Sequence, residues 1–273
     1  MIRIGPAGIP LSCKERTYKD GIIYTRCLGL SAIEIRFSRA FLSKEEAKVI
    51  KKVAKKCDVE INVHAPYYIN LAGDEKIVEL SREKIEKSLY LAHLLGARIM
   101  TTHLGFYGKL SKKETMRKIV RNLREIRDKA KMNGIEVEIG IETMGKKEVF
   151  GSLGEIIEVC KHVKGVKPVI DIAHIHARGN GCLKSKSDMQ KIFDALEDLN
   201  MDHYLIHFAG VKYDTGGEKY HTPIKKGDLQ ITELMKCIIE NDYDVTIISE
   251  SPLVEHDAMY TQILLQRTME MLK

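Results

Sequence analysis

Val166-Lys167-Pro168-Val169-Ile170-Asp171-Ile172-Ala173-His174 closes an apolar run with two side chains able to bind a metal, Asp171 and His174. Residues three apart on a straight strand point to opposite faces. Both can reach one site only if the strand stops at about Asp171 and the chain turns before His174. Enzymes built on parallel sheets keep their chemistry at such strand ends. The same design returns in Ile61-Asn62-Val63-His64, Met100-Thr101-Thr102-His103, Ile139-Gly140-Ile141-Glu142, Leu205-Ile206-His207 and Ile247-Ile248-Ser249-Glu250. The strand ends therefore point one way.

On either side of this stretch, short β-branched runs alternate with longer amphipathic segments, the rhythm of repeated βα units around a parallel sheet. Eight strands are expected, at Ile2 to Gly5, Ala32 to Phe37, Val59 to His64, Arg98 to His103, Val137 to Glu142, Lys167 to Asp171, Tyr204 to His207 and Val245 to Glu250. Helices are expected over Ser43 to Cys57, Lys76 to Leu95, Lys113 to Asn133, Leu153 to Val163, Ser187 to Leu199, Leu229 to Asn241 and Asp257 to Leu272. Ser43 with Glu46 forms a capping box, and Gly96 and Gly134 stand where helices end. Gly216-Gly217 reads as a loop. No linker or low-complexity run divides the chain, so the expectation is an α/β protein, a single (β/α)8 TIM barrel domain over residues 1–273. An open doubly wound sheet would normally carry a glycine-rich phosphate turn, and the sequence has neither GxGxxG nor a Walker loop.

With 44% hydrophobic and 30% charged residues, the chain has enough apolar mass for a full core and is neither disordered nor fibrous. No run approaches the roughly 18 uncharged apolar residues of a membrane helix, and Met1-Ile2-Arg3-Ile4-Gly5-Pro6 has no signal-peptide layout, so a cytoplasmic protein is expected. The six cysteines form no CxxC pair and read as reduced thiols. A formal charge of +6, with basic residues such as Arg36, Lys146, Lys147, Arg178, Lys225 and Lys226 in the predicted βα loops, suits an anionic partner such as nucleic acid.

Period-2 alternation puts His64 on the face of Asn62 and Glu60, and Glu142 on the face of Gly140 and Glu138. A lone histidine at a strand end is ordinarily a hydrogen-bonded structural residue. Imidazoles and carboxylates converging from many strands are costly to bury unless a cation neutralises them. Mixed nitrogen and carboxylate ligation points to zinc, with manganese or iron as alternatives. The donors outnumber the four of one tetrahedral ion, so at least two ions are expected, with a carboxylate such as Glu142 bridging them.

His64-Ala65-Pro66-Tyr67-Tyr68-Ile69-Asn70-Leu71-Ala72, Ile141-Glu142-Thr143-Met144-Gly145, Asp171-Ile172-Ala173-His174-Ile175-His176-Ala177-Arg178-Gly179 and Ser249-Glu250-Ser251-Pro252 resemble, in order and spacing, the endonuclease IV family of abasic-site DNA repair nucleases, within the wider xylose-isomerase-like barrels. The resemblance implies a first zinc on His64, His103 and Glu142, and a second held by Glu142, Asp171, His207 and Glu250. It also implies a third zinc on His174 and an Asp-x-His motif, which reads Lys219-Tyr220-His221 in this chain; Asp214 or Glu218 would have to replace the missing aspartate. Tyr67 takes the place of a family tyrosine close to DNA, and Arg36 and Arg178 are expected DNA contacts. The family's DNA-inserting loop is loosely echoed by Arg36-Phe37-Ser38-Arg39-Ala40-Phe41. The activity so implied is cleavage of DNA 5′ of abasic sites in base excision repair, with two or three zinc ions and Glu142 at the catalytic centre. A sugar isomerase or epimerase using one metal, and a DNA-binding relative with decayed catalysis, are the alternatives.

Overall fold

The computed structural model describes residues 1–37 and 41–272. Eight parallel strands form one sheet in the order β1 (Ile2–Pro6), β10 (Val245–Ser249), β7 (Tyr204–Phe208), β6 (Val166–Asp171), β5 (Glu138–Glu142), β4 (Ile99–Thr102), β3 (Glu60–His64), β2 (Ala32–Arg36). The two edges of that order meet: Ser31 N donates to Ile4 O (3.0 Å), Gly8 N donates to Glu34 O (2.8 Å), and Ala7 bridges Glu34 in parallel. The seam depends on Gly5, where a Cβ would fall 1.7 Å from Ala32 O. The result is the expected (β/α)8 barrel, with helices between its strands.

Both faces of each strand are buried, which is why the strands read as nearly continuous apolar runs. Ala32, Ile99, Val169, Leu205 and Ile248 pack together inside the barrel. Their chain neighbours Ile33, Met100, Ile170, Ile206 and Ile247 pack outward with the helices. Each such fully buried aliphatic contributes roughly 1.5–3 kcal/mol. Gly140 keeps the interior layer close, since a Cβ there would meet Val169 Cγ2 at 2.5 Å and Ile99 Cγ2 at 2.6 Å.

The expected helices form with small shifts in their ends: α2 (Lys44–Cys57), α3 (Glu75–Leu95), α4 (Lys112–Met132), α5 (Leu153–His162), α7 (Lys186–Leu196), α8 (Ile231–Glu240) and α9 (Glu255–Met271). The Ser43–Glu46 capping box is present, and Gly96 ends α3 in the left-handed region at φ 66°. Two helices and a hairpin stand outside the sequence expectation. Helix α1 (Tyr18–Cys27) contains Gly21 and three β-branched residues, a poor helical composition, and is held by a Thr17 cap and by burial of Ile22. The seven-residue α6 (Ile172–Arg178) is too short to show a helical period. Gly216-Gly217, expected to be a plain loop, runs from the turn into the second strand of an antiparallel hairpin, β8 (Gly210–Asp214) and β9 (Gly217–Thr222). Among the described residues no helix is long and apolar enough to cross a membrane.

Candidate metal centre

Strand direction gathers the expected ligands at one end of the barrel. His64, Glu142 and Asp171 are the last residues of β3, β5 and β6, while His103 and Glu250 come one residue after β4 and β10. On β7, His207 pairs in register with Asp171. The turn required after Asp171 is the start of α6: the Asp171 carboxylate caps it, accepting from His174 N at 2.7 Å. That cap swings His174 back toward the acid it follows, and His174 Nδ1 lies 3.5 Å from Asp171 Oδ2.

Glu142 occupies the middle. Its Oε2 faces His103 Nε2 at 2.8 Å and His64 Nε2 at 3.3 Å, while its Oε1 faces His207 Nδ1 at 2.8 Å. The donor atoms fall into three groups, each within 4.8 Å of one another: His64, His103 and Glu142; Glu142, Asp171, His207 and Glu250; and Asp171, His174 and His221. The first two coincide with the expected pair of sites. In the third, Asp171 is a member, so this carboxylate borders two groups.

The histidine tautomers agree with ligation. A carbonyl can only accept, so His64 Nδ1 donates to Ala65 O (2.7 Å) and His174 Nδ1 donates to Thr143 O (2.8 Å). In the neutral ring each Nε2 then keeps a lone pair that faces the cluster. Asp171 Oδ2 and Glu250 Oε1 are buried and have no hydrogen-bond partner among the described residues. Free carboxylate oxygens beside imidazole lone pairs are the chemistry of a divalent transition-metal site, and the donor set fits zinc.

Electrostatics point the same way. Burial pushes the Asp171 carboxyl up to about 6, against the pull of His174 and His221. For Glu142, burial is outweighed by hydrogen bonds from His103 and His207, which hold it well below the carboxylate range. Glu250 is brought to about 2, the charges of Arg36 and His207 overcoming its burial. Such a set of anions closed off from water calls for positive charge.

Of the two acids expected for the third group, Glu218 faces it and Asp214 does not. Asp214 is exposed and paired with Lys219 at 2.8 Å, away from the centre. Glu218 Oε2 instead lies 3.2 Å from His174 Nε2, and Glu218 Oε1 lies 3.7 Å from His221 Nε2. The β8–β9 hairpin carries Glu218 over the barrel mouth through Glu218 N to Gly145 O (3.2 Å) and Lys147 N to Gly216 O (3.1 Å).

A pocket of about 400 Å³ opens above the ligands and is lined in part by Arg36, Tyr67, Tyr68, Phe106 and Lys146. The Arg36 guanidinium stands 3.5 Å from Glu250 and over the Tyr67 ring at 5.0 Å. Arg178 is placed otherwise. Its guanidinium donates to the carbonyls of Met144 (3.2 Å) and Val149 (3.0 Å) and to Tyr107 Oη (3.3 Å), so it reaches a substrate only by giving up those bonds. Of the loop expected to insert into DNA, Ser38, Arg39 and Ala40 lie outside the described residues. A wider groove on the outer helices, along Arg117, Arg121 and Arg124, holds none of these ligands.

Sequence reasoning missed Glu34, which is fully buried with Oε2 2.9 Å from His207 Nε2. The signal is a charge set between Ile33 and Ile35 in the middle of an apolar strand, whereas Glu142, Asp171 and Glu250 stand at or beyond strand ends.

A parallel barrel with donor groups clustered at its C-terminal mouth defines a class, and the chain belongs to the xylose isomerase-like TIM barrel family, whose profile matches residues 24–269. Within that family, its similarity runs to endonuclease IV. A probable endonuclease 4 of Staphylococcus carnosus is 26% identical over 224 residues, 78% of this chain and 73% of that protein. An uncharacterized protein of Methanocaldococcus jannaschii is 32% identical over 265 residues, 95% of each chain. Among solved structures, endonuclease IV from Thermus thermophilus superposes with a TM-score of 0.73 at 16% identity, covering 97% of this chain and 99% of that one. A D-tagatose 3-epimerase-like protein superposes with a TM-score of 0.75 at 22% identity, covering 97% of both. At these identities the superpositions establish the fold alone.

Proposed function

We propose that this protein is a metal-dependent endodeoxyribonuclease that cleaves DNA 5′ of abasic sites, acting in base excision repair in the cytoplasm. The observation that carries the reading is Glu142 facing two donor groups at once, with His64 and His103 on one oxygen and His207 on the other. An epimerase working through a single cation has no need of the His64 and His103 pair.

His64, His103, Glu142, Asp171, His207 and Glu250 would hold two divalent cations, and zinc suits those donors. Bound there, such ions would supply a nucleophile at neutral pH and offset negative charge on a phosphoryl group. The protein's own residues do the rest. Glu142 keeps both donor groups in one frame. Arg36 and Lys146 at the pocket mouth present positive charge to a phosphate. Tyr67, 41% exposed, offers its ring beside His64 and His103 to bound DNA. Asp171, His174 and His221 would hold a third ion, with Glu218 as the nearby carboxylate where the resemblance expects the acid that Lys219 replaces.

Glu142→Gln removes the anion between the two groups with little change of shape. Cleavage of an oligonucleotide bearing one abasic site is expected to disappear, with binding of that oligonucleotide retained. Full activity in the variant would sink the scheme.

The four-donor group of Glu142, Asp171, His207 and Glu250 on its own favours a second reading, a one-metal sugar epimerase. It requires one ion per chain and turnover of a sugar that is insensitive to salt. Metal content of the purified protein separates the two. Binding of abasic DNA without cleavage under zinc or manganese would instead indicate a relative with decayed catalysis.

A further inference from the structure

One buried acid below the ligands has no part in that scheme. Glu34 pairs in register with Asn62, two residues below the level at which Arg36 pairs with His64, and none of its surface is exposed. Its Oε2 lies 2.9 Å from His207 Nε2, and His207 is equally closed to solvent. The other ring nitrogen, Nδ1, stands 2.8 Å from Glu142 Oε1 and 3.5 Å from Glu250 Oε1. His207 is therefore turned the opposite way from His64 and His174, which face the centre with Nε2 and donate Nδ1–H to carbonyls.

An imidazole that binds a cation through one nitrogen carries its proton on the other. A carboxylate accepting that proton fixes the tautomer and the ring rotation and raises the basicity of the ligating nitrogen. Glu34 Oε1 has no hydrogen-bond partner among the described residues, so the carboxylate is not a strut tying several strands together. Its side chain is spent on His207.

We infer that Glu34 is a positioning residue of the metal centre: it accepts the His207 Nε2 proton and so presents Nδ1 to the cation shared with Glu142, Asp171 and Glu250. The inference rests on the metal centre of the proposed function and not on DNA as the substrate, so its test needs no cleavage assay.

In zinc-loaded protein with ¹⁵N-labelled histidine, long-range ¹H–¹⁵N spectra are expected to show His207 coordinated through Nδ1 and protonated at Nε2. Coordination through Nε2 would overturn the inference. In cobalt(II) titrations, Glu34→Ala is expected to weaken the His207 site by about tenfold to hundredfold and leave the His64 and His103 site at its original affinity. Glu34→Gln, whose amide oxygen still accepts the proton, should fall between that variant and the unaltered protein. Unchanged affinity in Glu34→Ala, or equal weakening of both sites, would overturn it. If Glu34→Ala does not fold, the spectra of the unaltered protein decide the matter.

Discussion

Arg178 is a cation whose environment decides its work. From the sequence it is one more basic residue in a loop beside a strand end, and loops of that kind bind phosphate. In the structure its guanidinium ties the segment after β5 to α6 through several acceptors, and Glu155 lies 3.9 Å away. Arg178→Ala leaves those carbonyls without their donor, and it is expected to cost about 1–3 kcal/mol of stability, read as a lower urea midpoint with an unchanged slope. An unaltered midpoint would show that the bonds are replaced by water at no cost. The same gap between type and environment explains which ligands were legible. His64, His103, Glu142, Asp171, His207 and Glu250 announce themselves because each closes an apolar run. Glu34 does not, being buried mid-strand, and the choice between Asp214 and Glu218 was not legible, since it depends on how a hairpin docks on distant backbone.

At the scale of elements, the barrel strands were readable because a strand buried on both faces must be apolar and short. The β8–β9 hairpin was not, since Gly210 to Thr222 is largely polar and its partner is the turn after β5. Gly217 is the point of contact. It has φ 99°, and a Cβ there would come within 2.2 Å of Gly145 O. Gly217→Val therefore meets both a forbidden backbone region and a clash. The expected outcome is a displaced hairpin and weaker binding of a cation at His174 and His221, measured by cobalt titration, with binding at His64 and His103 preserved. Loss of both together would mean that the hairpin supports the whole mouth and not one corner of it. Helices α1 and α6 escaped the sequence for another reason: composition and length deny them a clear period, and the barrel around them supplies their stability.

Across the whole molecule, the donors come from strands and loops all round the barrel, from His64 to Glu250, so a cation at the centre binds the folded chain far better than the unfolded one. Stability should then follow free zinc. Removing metal with a chelator is expected to lower the thermal midpoint, and restoring zinc to about 100 times the dissociation constant should return about 2.7 kcal/mol for each site filled. A midpoint indifferent to chelator would argue against a metal centre of this kind.

The seam of the barrel also has a meaning in time. Ile2, near the start of the chain, lies level with Val245 on β10, and Glu250 follows that strand. During synthesis the ribosome releases His64 and His103 early, yet the ring cannot shut and Glu142 cannot acquire its last carboxylate neighbour until β10 emerges. The four-donor group could therefore hold a cation only once β10 has joined the ring.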